Sequence, residues 1–138
     1  MSKMQKAHIL LVEDNRADAN LVEEALDEVH LDYGLSIMRD GAQAIAFIDK
    51  MDADPSVQRP DLVLLDLNLP KVSGEEVLKR VRRSPICQGT KVLIISSSDA
   101  PSDRQRAQEL GATGYFRKPS SLEQFMELGP KIVSMLGR

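Results

Sequence analysis

The sequence predicts an α/β domain: a five-stranded parallel sheet, doubly wound, with helices on both faces. Three observations predict it. Short apolar runs alternate five times with segments of helical periodicity. The runs are continuous rather than alternating, the pattern of strands buried on both sides. The chain has 138 residues, 42% hydrophobic and 28% charged, enough for one full core and short for two.

Each element has its own signal. "HILLV", His8 to Val12, is a buried-strand run, and Ala17, Leu21, Val22, Ala25, Leu26 and Val29 then recur at helical spacing. "LSIM", Leu35 to Met38, is a second strand. Asp40-Gly41 turns the chain into a helix carrying Ala44, Ile45, Phe47 and Ile48 inward. Asp52 to Pro60 is a loop rich in turn residues, and the strand Asp61 to Asp66 follows it. Gly74 precedes a helix with Val77, Leu78 and Val81 on its inner face. "KVLIIS", Lys91 to Ser96, and "TGYFRK", Thr113 to Lys118, are the last two strands. Arg106 to Leu110 belongs to a helix between them that Gly111 closes. Ser120 or Ser121 caps a final helix with Leu122, Phe125, Met126, Ile132, Val133 and Leu136 on one face. Gly129-Pro130 should kink or interrupt that helix, because proline lacks a backbone donor and crowds the preceding turn. The expected organisation is a polar tail over 1–6 and a single domain over 7–138, with no output domain.

Composition narrows the function. A net charge of −3 and a pI near 5.4 argue against a nucleic-acid surface. The basic run "KRVRR", Lys79 to Arg83, suits the negative end of a helix dipole. Cys87 is alone, which excludes a disulfide framework, and His8 and His30 have no evident catalytic partner. No apolar run approaches a membrane span, and the first residues lack a signal-peptide core. The expected location is the cytoplasm.

One position stands out. Leu62 to Leu65 is wholly apolar, yet the next residue is Asp66, and an ionised group pushed towards a core costs several kcal/mol, ~2 or more, unless it is paired. In an open parallel sheet, ligands gather at the carboxyl ends of the strands. Those ends hold Glu13-Asp14, Asp66, Ser96 and Lys118. Each residue alone has an ordinary explanation: a helix cap for Glu13-Asp14, an Asx turn for Asp66, a loop for Ser96 and a solvated lysine for Lys118. Their common edge is the specific signal. Three acids form an oxygen-rich site that suits Mg²⁺, and no cysteine or histidine lies nearby to favour zinc. A carboxylate beside such an ion can accept a phosphoryl group, with Lys118 and Ser96 placed to meet its oxygens.

With "VEDN", "LLDLNLPKVSG", "LIISSS" and "GATGYFRKP" in view, the chain resembles the receiver domains of two-component response regulators, over roughly Ala7 to Leu136. Ser96, Tyr115 and Lys118 fall 30, 49 and 52 positions after Asp66, the spacing of that family. The long loop before Pro60 is similar to that of stand-alone receivers associated with phytochromes. The resemblance implies a flavodoxin-like strand order 2-1-3-4-5. It implies that Asp66 becomes an aspartyl phosphate, receiving its phosphoryl group from a sensor histidine kinase, a bacteriophytochrome being one candidate. It further implies Mg²⁺ on the side chains of Asp14 and Asp66, on the Asn68 carbonyl, and on Glu13 through water.

Ser96 and Lys118 would hold the phosphoryl oxygens, a cis Lys118-Pro119 peptide would help aim the lysine, and Asn68 and Ser98 would tune dephosphorylation. Ser96 would swing towards the phosphoryl group and Tyr115 would turn inward. Those movements would alter the face formed by the fourth helix, fifth strand and last helix, Pro101 to Leu136, which would meet a downstream partner or a second copy. Such a protein catalyses only its own phosphorylation and dephosphorylation. A phosphorylation-independent adaptor would be expected to have lost a site residue, and none is missing. A phosphatase using an aspartyl intermediate needs an acid two places after the nucleophile, where this chain has Asn68. A flavodoxin-like nucleotide binder needs a glycine-rich loop after its first strand, where this chain has "VEDN".

Overall fold

A computed structural model describes residues 5–138; the first four residues of the expected tail lie outside it. Five strands, β1 (Ala7–Val12), β2 (Tyr33–Met38), β3 (Leu62–Leu65), β4 (Lys91–Ser96) and β5 (Gly114–Arg117), pair in parallel in the order β2-β1-β3-β4-β5. The helices are α1 (Arg16–Glu28), α2 (Gly41–Ala53), α3 (Gly74–Arg83), α4 (Pro101–Glu109), α5 (Leu122–Phe125) and α6 (Leu128–Met135). No helix among the described residues is long and apolar enough to cross a membrane.

Strand parity sorts the core into two layers. Leu10, Val12, Val63, Leu65, Val92 and Ile94 face α2, α3 and Ala107 of α4. Ile9, Leu11, Leu62, Leu64, Leu93 and Ile95 face α1, Phe125 and α6. Truncating such a leucine to alanine typically costs about 2–5 kcal/mol.

Local chemistry sets the helix ends. Asn15, Asp40, Ser73 and Ser121 cap α1, α2, α3 and α5 with a side-chain oxygen that accepts a backbone N–H. Gly111, at φ 98°, closes α4, its own N–H donating to Gln108 and that of Ala112 to Ala107. The Arg82 guanidinium donates to the carbonyls of Gly111 and Thr90, tying α3 to the start of β4 and to the turn between α4 and β5. Arg80 reaches Asp49 and Asp52 on α2. Two of the four cations in the basic run are therefore engaged by neighbouring elements.

Three expectations need correction. β2 begins at Tyr33, because Tyr33 and Gly34 pair with Ala7 and His8, which their own composition does not announce. On α1 it is Ala19 that is buried, while Ala17 is exposed, since the helix starts only at Arg16 and its first turn lies over the open end of the sheet. The last helical segment breaks at Met126-Glu127 rather than at Gly129-Pro130. Pro130 crowds the carbonyl four residues earlier, that of Met126, so the interruption falls there and Pro130 sits in the first turn of α6. Gly129 meanwhile lies against the carbonyl of Ala25, which a Cβ would meet at 2.6 Å.

Gly74 positions the tip of β3. A Cβ there would lie 2.4 Å from the Asp66 carbonyl oxygen and 2.6 Å from the Leu67 Cα. Both are backbone atoms that cannot swing away. Gly74→Ala is expected to lower stability by about 1–3 kcal/mol in urea titrations; an unchanged midpoint would show that the β3–α3 junction is not this tight.

Candidate functional site

The same parity that builds the core aims the polar tips. Glu13 continues the series Ile9, Leu11, and Asp66 continues Leu62, Leu64, so both acids turn to the α1 side. Lys118 follows Phe116 on that side, whereas Ser96 and Tyr115 belong to the α4 side. The sheet edge thus carries charge on one flank and hydroxyls on the other.

On the charged flank, the Lys118 ammonium donates to Glu13 Oε1 at 2.6 Å, Asp18 Oδ2 at 2.8 Å and Asp66 Oδ2 at 3.1 Å. The remaining oxygens are used as well. Glu13 Oε2 accepts the Asn15 N–H and Asp66 Oδ1 accepts the Asn68 N–H, so the Asx turn at Asp66 is real and coexists with the ion pair. Asp66 and Glu13 are only 5% and 2% exposed, which makes these partners essential.

Asp14 is exposed, yet one of its oxygens and one each from Glu13 and Asp66 all lie within 4.8 Å of one another. Three carboxylates therefore share one ammonium and a fourth, Asp14, lies beside two of them, so the cluster holds more acids than cations. Two side chains are shifted by this environment. Burial pushes the Glu13 carboxyl up to about 7, with nearby Asp66 adding to the shift and Lys118 only partly opposing it. Burial also works against the Lys118 charge, but its bonds to Asp18 and Glu13 outweigh it and hold the ammonium above its ordinary value. The donor set is all oxygen, short of positive charge and clustered at ion-binding distance. It fits a hard divalent cation.

On the other flank, Ser96 is fully buried and its Oγ accepts the Ser98 N–H at 3.2 Å. Ser98 is a junction. Its Oγ donates to Asp103 on α4, and its carbonyl accepts the Tyr115 hydroxyl at 2.9 Å. Tyr115 is half-buried beneath the Arg104 guanidinium, 4.4 Å above its ring. Leu67, Asn68, Ser96, Ser98 and Ala107 line a cavity of about 520 Å³ between the β3–α3 loop and α4. The Arg106–Glu75 ion pair, at 2.8 Å, links α4 to α3 across its rim.

The structure thus gathers Glu13, Asp14, Asp66 and Lys118 directly, and joins Ser96 to Tyr115 through Ser98. Asn68 is exposed beside Asp66. No hydrogen bond among the described residues joins Ser96 to the acids. Lys118-Pro119 is trans, as every described peptide bond is, contrary to the cis expectation. Trans is the ordinary preference of a prolyl bond, and the lysine reaches its acids in that form. Phe125 is core and Phe116 packs edge-on against it with ring centroids 6.0 Å apart, so these two aromatics of the Pro101 to Leu136 face are used internally. The residue missed by sequence reasoning is Asp18. An acid in the first turn of a helix is ordinary dipole chemistry, and nothing in its spacing announced a partner 100 positions away.

A family model described as the response regulator receiver domain matches residues 9–128. Response regulator Rcp1 of Synechocystis sp. is 38% identical over 120 residues, covering 87% of this chain and 82% of that protein. The crystal structure of the Mn²⁺-bound form of Rcp1 aligns with a TM-score of 0.82 at 37% identity, covering 93% of this chain and 92% of that one. The phosphorylated cyanobacterial phytochrome response regulator RcpA aligns with a TM-score of 0.85 at 33% identity, covering 96% and 94% of the two chains.

The Glu13 shift has a definite sign. The folded chain keeps the Glu13 proton up to about pH 7, whereas the unfolded chain releases it near the ordinary 4.5, so in chelator this group makes stability fall as pH rises through that window. Denaturant titrations between about pH 5 and pH 8 should show that fall diminished in Glu13→Gln. An identical pH dependence in the two proteins would rule out a raised Glu13 carboxyl in the folded chain.

Proposed function

The chain belongs to the response regulator receiver family, and on that footing we propose that it is a phosphoryl-accepting switch in a two-component relay, with Asp66 as the acceptor. The observation that carries this is the convergence on Asp66 of a part-buried ammonium 52 residues away and two further acids at ion-binding distance.

In the proposed reaction an Asp66 carboxylate oxygen attacks the phosphorus of a phosphohistidine on the partner kinase. The P–N bond breaks, and the imidazole nitrogen leaves with the electron pair. Mg²⁺, held by Asp14 and Asp66, by the Asn68 carbonyl and by Glu13 through water, would supply the positive charge that lets a phosphoryl group approach these acids. Lys118 donates to the new phosphoryl oxygens, and Ser96 donates to another once it turns from Ser98. The chain turns over no separate substrate; it acts on its own carboxylate.

The readout follows from Ser98. Phosphorylation adds about −1.5 to −2 charges and strong acceptors at Asp66. When Ser96 leaves the Ser98 N–H, the segment that holds both Tyr115 and Asp103 is freed to rearrange, and α4 with it. The face from Pro101 to Leu136 then presents a different surface to a downstream partner or, in a phosphorylation-favoured homodimer, to a second copy. The likeness to RcpA supports a phytochrome-type kinase as the donor, and the cytoplasm is the compartment in which the two would meet.

Incubation with Mg²⁺ and acetyl phosphate should add one phosphoryl group by intact mass, labile to hydroxylamine and absent in Asp66→Asn. An unmodified wild type, or a modified Asp66→Asn, would contradict the assignment. Beryllofluoride should change amide hydrogen exchange from Ser97 to Leu110 in the wild type and not in Ser96→Ala; an equal response in both would remove Ser96 from the switch. Sedimentation with and without beryllofluoride tests the homodimer, for which an unchanged mass is the contrary result.

A further inference from the structure

We propose that Asp18 is a positioning residue that holds Lys118 in reserve and releases it when a phosphoryl group, or a mimic of one, occupies Asp66. The inference rests on the function proposed above and assigns a role to a residue outside the acceptor and cation-binding set.

A lysine ammonium has three N–H donors, and here all three are taken by Glu13, Asp18 and Asp66. A phosphoryl group on Asp66 brings new acceptors, so Lys118 can serve them only by giving up a carboxylate. The three are not equally easy to release. The Glu13 and Asp66 side chains are 2% and 7% exposed, and Asp18 is 26% exposed. Asp18 also borders a cavity of about 620 Å³ that it shares with Lys118, Ser120 and Gln124, on the solvent side of the cluster. Water can solvate its carboxylate there, whereas Glu13 would be left buried with only the Asn15 N–H as a partner. Asp18 is the partner that yields.

Two consequences act in the same direction. Removing the Asp18 charge frees the ammonium for the incoming group, and it removes a negative charge from beside a dianion. The Asp18 backbone is held separately, its N–H donating to Asn15 Oδ1 at 3.1 Å, so Asp18→Asn retains the cap of α1.

The test is the affinity for beryllofluoride in the presence of Mg²⁺, measured by calorimetry on the wild type, Asp18→Asn and Asp18→Glu. Asp18→Asn should bind roughly two- to fivefold more tightly, the range spanned by one part-exposed ion pair, and Asp18→Glu should stay near the wild type. The gain should shrink as salt is raised. Unchanged or weaker binding by Asp18→Asn would overturn the proposal, as would an Asp18→Glu protein that behaves like the asparagine variant. Structural damage alone would weaken binding, not tighten it. A wild type that binds no beryllofluoride, or an Asp66→Asn protein that binds it equally well, would refute the underlying function as well.

Discussion

The ammonium of Lys118 organises the carboxyl edge of this sheet, because it is the charge that lets Asp66 end an apolar strand. Asp66 and Glu13 are almost fully buried, and a buried carboxylate without a partner would cost several kcal/mol, ~2 or more. Lys118 reaches both, and Asp18, through bonds of 2.6 to 3.1 Å from three different elements. One cation does not balance the carboxylates around it. Burial, reinforced by the neighbouring Asp66, tells most on Glu13, the most buried acid, whose carboxyl is pushed up to about 7. A site in this condition is structurally complete and electrostatically short of positive charge, a donor set that fits a hard cation.

The architecture upstream of that cluster is strand parity. One face of the sheet continues into Glu13, Asp66 and Lys118, and the other into Ser96 and Tyr115. The charged cluster and the proposed readout are thereby separated by the thickness of a strand while sharing one sheet edge. The hydroxyl flank is loosely built. Ala107 is the one buried residue of α4, and polar links from Asp103, Arg104 and Arg106 to Ser98, Tyr115 and Glu75 supply much of its remaining attachment. A helix held in this way has little apolar burial to lose, which is the character of an element that moves at modest cost.

The sheet and most of the charged cluster are legible in the amino-acid sequence. Continuous apolar runs gave β1, β3 and β4 because strands at the centre of a parallel sheet are buried on both faces, and β2, at the edge, was the strand whose limits were misjudged. Gly111 read correctly as a helix stop because only a left-handed closing residue explains it there. The helical break was predicted at the proline and occurs four residues earlier, where the steric conflict with the Met126 carbonyl arises. Asp66, Glu13, Asp14 and Lys118 were found as strand-tip residues. Asp18, Ser98 and Arg82 were harder, since each works through tertiary partners and resembles an ordinary cap, loop or surface residue in sequence.

The most direct measurement of the central claim is nitrogen-detected NMR of the lysine ammonium groups, with Lys118 assigned by Lys118→Arg. The account predicts one slowly exchanging, protected ammonium that shifts when Mg²⁺ and then beryllofluoride are added, and that does not respond to beryllofluoride in Asp66→Asn. A Lys118 signal that exchanges as fast as the surface lysines and ignores both additions would contradict it.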